Sequence, residues 1–213
     1  MGITENVNGD IFAGGIAMEI HFHVPEVGEL WYRKRLLSDP DTMSYNKGLD
    51  MGFEGYDRET GCIDFPEERW REWHRYWVQS VPWRFYAYVM LGNEFIGEVN
   101  LRKFPEDDYE DRYSMGIVIE SIHRGNGYAA QAVGMLLDVA FCEIGAASVH
   151  NKFESYRQAA VRVHTVNGFS VDFDDGHIMR VSITAEKYNK MRDLQAVCVK
   201  REKRAKRGVG RAK

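Results

Sequence analysis

The apolar positions of this chain switch between a period of two and a period near 3.6, and the switches mark out its elements. Gly116-Ile117-Val118-Ile119 is a short β-branched run that reads as a buried strand. From Tyr128 onward, Ala132, Met135, Leu136, Val139 and Ala140 recur at helical spacing with no proline among them. Between the two lies the turn Arg124-Gly125-Asn126-Gly127. Upstream, Glu19 to Val24 reads as a first strand. Pro25 onward reads as a helix through Leu30, Trp31, Leu36 and Leu37, stopped near Ser38-Asp39-Pro40. Pro66 opens a second helix, with Glu67 and Glu68 where the helix dipole favours acids. Its stripe of Trp70, Trp73, Tyr76 and Trp77 predicts core packing. Phe85 to Met90 and Glu94 to Leu101 flank Leu91-Gly92-Asn93 as a hairpin. Ala146 to Phe153 reads as a strand and Tyr156 to Val166 as a helix, with Gly168 in place to cap it. Phe169 to Phe173 and His177 to Ile183 form a last hairpin. Strand, helices, three strands, helix, strand, helix and two strands make an α+β protein with one mixed sheet.

The stretches between these elements differ in character. Residues 1–17 are glycine-rich and polar and read as a loose extension. Residues 39–61 are loop-like and carry Tyr45, Phe53 and Tyr56 among Asp50, Glu54, Asp57 and Glu59. Such a segment either forms part of a binding site or covers the core with its aromatics tucked in. Pro105 to Asp111 is an acidic loop.

Composition narrows the class. With 213 residues, 44% hydrophobic and 13% aromatic, the chain can build one well-packed domain; we place it at residues 18–189. No apolar run reaches the length of a membrane span and no leader pattern opens the chain, so a soluble, cytoplasmic protein is expected. Cys62, Cys142 and Cys198 form no CxxC pair, so neither a disulfide framework nor a zinc site is expected. Cys142, within the long helix, reads as a small buried hydrophobe. His21 and His23 share a strand face, but with no third ligand near them no metal is expected. Charge is lopsided. Residues 187–213 hold eleven Lys or Arg against Asp193 and Glu202, a balance of +9. The remainder carries seventeen basic and thirty acidic residues, or −13. The segment 190–213 reads as a disordered basic tail, and Lys200 to Arg207 would attract phosphates non-specifically.

The chemistry concentrates at the turn. A strand, a glycine turn and a helix start leave consecutive backbone N–H groups without intrahelical partners, at the positive end of the helix dipole. An anion, most often a phosphate, suits that place. Gly-x-x-x-x-Gly-Lys-Ser/Thr is absent, and the dinucleotide pattern is one glycine short, which sets those two phosphate binders aside.

Arg124-Gly125-Asn126-Gly127-Tyr128-Ala129 resembles the Arg/Gln-x-x-Gly-x-Gly/Ala signature of the GNAT superfamily of acyl-CoA-dependent N-acetyltransferases. Gly-Ile-Val-Ile-Glu before it is similar to that family's fourth strand, Phe95-Ile96-Gly97-Glu98-Val99 to its third, and Val166-Asn167-Gly168-Phe169 to the close of its fourth helix. The resemblance covers roughly residues 19 to 185. It implies a central mixed, mostly antiparallel sheet of about seven strands flanked by about four helices, with acetyl-CoA as co-substrate and no metal. The pantetheine arm would pair with Ile117 and Ile119. The pyrophosphate would sit on the amides of Gly125, Asn126, Gly127, Tyr128 and Ala129, with Arg124 beside them. Glu98 and Glu120 are the two candidates for general base. His164 stands where the family presents a tyrosine that protonates the departing thiolate. Arg157 stands where an asparagine often contacts the cofactor, Asn151 or Arg157 could substitute for it, and Tyr156 is a further candidate acid.

The expected activity is acetyl transfer to a primary amine of an acceptor made cationic in expectation by the acidic body, in a monomer or homodimer. The competing expectation is a binding or regulatory protein that keeps the acyl-CoA fold and docks on ribosome or nucleic acid through its tail.

Overall fold

The computed structural model describes residues 19–52, 54–104 and 111–193. Seven strands form one sheet: β1 (Ile20–His23), β2 (Arg84–Leu91), β3 (Glu94–Lys103), β4 (Arg112–Ile119), β5 (Ser148–Glu154), β6 (Ser170–Asp174) and β7 (Ile178–Thr184). Their order across the sheet is β1-β2-β3-β4-β5-β7-β6, and every pairing is antiparallel except β4 with β5. Alternation along β2 decides what each face buries. Ala87, Val89 and Leu91 belong to the main core, while Tyr86 and Tyr88 belong to a second cluster with Tyr32 and Leu36. Both faces of β2 are covered, which is why this strand reads as an almost continuous apolar run rather than a clean alternation.

The long helix α4 (Tyr128–Asp138) brings Ala132, Val133, Leu136 and Leu137 into the main core. On the opposite face lie α1 (Trp31–Ser38) and α3 (Trp70–Trp77). Between them α2 (Pro40–Met43) forms one short turn in the stretch read as loop. Asp39 starts it by accepting from the amides of Asp41 (3.2 Å) and Thr42 (3.1 Å), with Pro40 at the first helical position. Four residues are too few to leave a periodic signal. Within that loop Tyr45 packs against Leu30, Leu37 and Met43, and just after it Cys62, Ile63 and the buried Phe65 join the same cluster. Phe53 lies outside the described residues.

Helix α5 (Gln158–Val166) starts two residues later than expected and ends as the sequence indicates. Gly168 takes φ +81°, its amide bonds the Thr165 carbonyl and the Phe169 amide bonds the His164 carbonyl. These two bonds are the paired closure that a left-handed residue permits. A sixth helix, α6 (residues 185–193), runs past the boundary placed at 190. It buries Tyr188 against Phe141 (ring centroids 4.7 Å). No periodic apolar pattern announced it, because Tyr188 and Met191 are its only large apolar residues packed on the core.

Two packing expectations are corrected. Tyr76 is half exposed, carrying Arg84 over its ring at 3.6 Å instead of joining the core. Cys142 is exposed: α4 continues into a π-helical segment, Val139–Ile144, whose wider turn rotates that side chain outward, beside Tyr188 and Arg192. Cys198, the acidic residues 105–110 and the basic run 200–207 lie outside the described residues. Among those that are described, no helix is long and apolar enough to cross a membrane.

Candidate active site

The sheet opens between β4 and β5. They pair only at Arg112–Ser148, Tyr113–Val149 and Ser114–His150, after which the strands diverge. On its other edge β4 stays fully paired with β3, from Tyr113 to Ile119. The amide of Glu120 donates to Ile96 (2.9 Å), and bonded pairs alternate along an antiparallel ladder. Val118 and Gly116 therefore exchange bonds with β3. Ile117 and Ile119 direct their backbone groups the other way, into the gap that β5 has left.

At the end of β4 the chain makes a short 3₁₀ turn (Ser121–His123) and enters the glycine turn. Gly125 and Gly127 both adopt φ +83°, which an L-residue takes only under strain, and a Cβ at either would meet nothing within 4 Å. The two glycines are thus needed for backbone shape beside open space. The amides of Ala130 and Gln131 bond back to the Gly127 carbonyl (3.0 and 3.2 Å). Those of Gly125, Asn126, Gly127, Tyr128 and Ala129 have no partner among the described residues. Five unpaired donors at the N-terminus of an eleven-residue helix make a nest for an anion.

The Arg124 side chain is engaged elsewhere. It donates through Nε to the Ile119 carbonyl (3.3 Å), and through Nη1 and Nη2 to the carbonyls of Asp41 (3.3 Å) and Thr42 (2.6 Å). The expectation that it stands beside the phosphates is corrected to that extent: the guanidinium ties α2 to the end of β4. The Thr42 hydroxyl strengthens the tie by accepting from the Ser121 amide (2.9 Å).

The two candidate bases both reach the face of the sheet covered by α1. Glu98, nearly sealed from solvent, accepts from Arg33 on one oxygen and from Tyr86 on the other. The Arg33 guanidinium in turn stacks on Trp73 (4.5 Å). Glu98 is therefore a committed partner in a buried ion pair, not an available proton acceptor. Glu120 accepts from Arg35 (2.5 Å), but that arginine side chain is more than half exposed and can swing away. The Tyr32 hydroxyl is buried beside Glu120. Burial first, and that charge second, push the phenol far above its ordinary pKa. Neither Arg33 nor Arg35 was singled out in the sequence. Basic residues on a short helix ordinarily face water, and nothing local marks these two as reaching inward.

His164 does not face the cleft. Its ring sits between Phe153 (4.8 Å) and Phe169 (4.9 Å), with 3% of the residue exposed. Nδ1 donates to the Ala160 carbonyl (2.7 Å), so Nε2 carries no proton and accepts from the Asn151 amide (2.9 Å). Burial lowers its pKa, and the imidazole stays neutral. The expected proton donor is thus a core histidine. Asn151, engaged with His164 and the Lys152 amide, does not replace the missing cofactor asparagine. Tyr156 is largely exposed. Arg157 reaches across the opening instead: it pairs with Glu154 (2.6 Å), donates to the Tyr45 carbonyl and lies over the Tyr45 ring (5.0 Å). Burial, then the charge of Glu98, push the Tyr45 phenol up to about 12.

Known structures share this fold. Spermidine N-acetyltransferase from Vibrio cholerae, solved in complex with CoA and spermine, superposes with a TM-score of 0.61 at 18% identity, over 79% of this chain and 97% of that one. A GNAT-family acetyltransferase from Bacillus anthracis gives 0.58 at 17% identity, over 78% and 95%. FdhC, a nucleotide-linked sugar GNAT, gives 0.59 at 14% identity, over 84% and 94%. A comparison with curated protein sequences gave no match. The family model described as the acetyltransferase (GNAT) domain matches residues 24–170, more than half of the chain. Together with the opened β4–β5 edge and the glycine turn, that match shows that the chain belongs to the GNAT acetyltransferases.

Proposed function

We propose that this enzyme moves the acetyl group of acetyl-CoA to a primary amine by direct transfer within a ternary complex. The observation that carries the reading is the nest of five unpartnered amides at 125–129, set at the end of a strand whose edge is open. A pyrophosphate suits the nest, and the extended pantetheine arm suits Ile117 and Ile119, where it would complete the sheet as a further strand does. The carbonyl of Ile119 is taken by Arg124. Its amide and both backbone groups of Ile117 are what the arm would meet.

Transfer needs a neutral amine, which attacks the thioester carbon; the carbon–sulfur bond then breaks, and its electron pair leaves on sulfur. One proton must leave the nitrogen and one must reach the thiolate. Glu120 is the carboxylate that can take the first, directly or through water, once Arg35 moves aside. With His164 buried, water supplies the second. Most of the acceleration comes from holding donor and acceptor together.

The reading is supported by the fold shared with a CoA-binding spermidine acetyltransferase, though at an identity that says nothing of the acceptor. It is tested by following thiol release from acetyl-CoA against a panel of amines, with calorimetry for CoA binding. CoA binding with amine-dependent thiol release is expected. Absence of CoA binding in the folded protein would overturn the reading.

A further inference from the structure

The net charge of −13 outside residues 187–213 pointed to a cationic acceptor. Three carboxylates around the opened sheet contribute little to that field. Each is matched by the chain's own guanidinium: the buried Glu98 by Arg33, the buried Glu120 by Arg35 (2.5 Å) and the part-buried Glu154 by Arg157 (2.6 Å). A paired carboxylate presents a dipole rather than a charge, and its pull on a distant cation falls off steeply.

Arg157 differs from the other two in what it leaves open. Arg33 spends its guanidinium on Glu98, Tyr86 and the Trp73 face. Arg35 donates to Glu120 and lies over the rings of Trp31 and Tyr32. Arg157 projects from the diverged end of β5, at the start of α5, toward the 39–46 segment. Its Nε is held by Glu154, its Nη2 by the Tyr45 carbonyl, and its plane lies over the Tyr45 ring. Nη1 has no partner among the described residues, and 22% of the side-chain surface remains open. The group is a planar guanidinium, ion-paired with Glu154 and held by the Tyr45 carbonyl, with its third N–H edge available as a charge-assisted donor. Such a group binds a carboxylate or phosphate with little further loss of side-chain freedom.

We infer that Arg157 is a specificity-determining residue that seats an anionic group of the acceptor, so that the substrate is a primary amine bearing a carboxylate or phosphate and not a polyamine. The inference rests on the acetyl-transfer reading and names its substrate class. The reactive nitrogen would lie toward β4 and the anion toward the β5–α5 junction. Arg157 is placed here by its reach from the β5–α5 junction to Tyr45 in the 39–46 segment.

The test uses matched acceptors with the full-length enzyme and acetyl-CoA: β-alanine against n-propylamine for a carboxylate, O-phosphoethanolamine against ethanolamine for a phosphate, and spermidine as the polycation. For the wild type, kcat/KM should be about tenfold or more higher for at least one anionic member than for its neutral twin, and higher than for spermidine. The pair that shows the larger ratio names the anion. Arg157→Gln should bring that ratio to within about twofold of unity whatever the absolute rate, and Arg157→Lys should keep part of it because the charge remains. Preference for spermidine, or a ratio unchanged in Arg157→Gln, would overturn the assignment. If Arg157→Gln does not fold, the wild-type ratios and Arg157→Lys decide: an anionic preference of wild-type size in the lysine variant, with its fork lost, also speaks against the fixed guanidinium. No thiol release with any amine, CoA binding intact, strikes the transfer reading and this inference with it.

Discussion

Replacing Gly127 by aspartate separates what the glycine turn does for the fold from what it does for the ligand. Gly127 sits at φ +83° with open space where a Cβ would go, so the substitution meets no clash. The cost is conformational, about 1–2 kcal/mol for an L-residue held in the left-handed region, somewhat less for aspartate. For a chain of this size that lowers Tm by roughly 2–8 °C. The new carboxylate also stands at the N-cap of α4, where it can accept from first-turn amides and recover part of the loss. Those same amides are the anion nest, and the carboxylate adds a negative charge to it. Losing two charge-assisted hydrogen bonds, each worth about 1.5–3 kcal/mol, predicts CoA binding weaker by at least about a hundredfold. Gly145→Asp is the control. Gly145 has φ +79° and equally open space, but it follows the π-helical segment, away from the turn. It should show a similar Tm loss with CoA affinity intact. Calorimetry on both folded variants decides. Unchanged affinity in Gly127→Asp, or an equal loss in Gly145→Asp, would refute the assignment of the nest to the pyrophosphate.

Three further outcomes are expected. His164→Gln should leave kcat within a few-fold of wild type, since the ring touches Phe153, Phe169, Asn151 and Ala160 and not the cleft; a drop beyond about a hundredfold in the folded variant would restore it as a proton donor. Because burial depresses its pKa below the ordinary 6.5, the folded state holds fewer protons than the unfolded chain just below that pH. Stability is therefore fully present above about pH 6.5 and falls on acidification toward the folded-state pKa, by at most about 1.4 kcal/mol per pH unit. In His164→Gln that contribution should vanish from the pH dependence of urea unfolding. Glu98→Gln leaves Arg33 a buried cation facing a neutral amide and should cost about 3–5 kcal/mol, whereas Arg33→Met with Glu98→Leu should recover most of it; a stable single variant in urea titration would mean the pair is not buried as described. Arg124→Gln frees the carbonyls of Asp41 and Thr42, so it should raise the KM for the amine more than the Kd for CoA; the reverse order in steady-state kinetics and calorimetry would return Arg124 to the phosphates.

What the sequence determined by itself was local. The β-branched run at 116–119, the glycine turn and the apolar spacing after Tyr128 specify strand, turn and helix within twenty-five residues, because backbone dihedrals and one-sided burial are properties of neighbours in the chain. Gly127 and Gly168 were legible for the same reason: each serves a left-handed position next to its own helix. The seven strands and their succession followed from alternation and turn chemistry, and the resemblance carried by Arg124 to Ala129 led to the family. What only the tertiary structure decided is which partner each polar group meets. Arg33 and Arg35 look like a solvated helix face, and finding them on Glu98 and Glu120 requires α1 to lie across β3 and β4, contacts 65 and 85 residues apart. His164 was placed at the cleft by its distance from Gly168, yet helix rotation turned it between two phenylalanines, where burial keeps it neutral. Helix α6 escaped notice because its stability comes from Tyr188 and Met191 fitting the core, a contribution that exists only once the sheet has formed. Arg157 gains its open edge from strands that part after three paired positions, and divergence of that kind is written in no single strand.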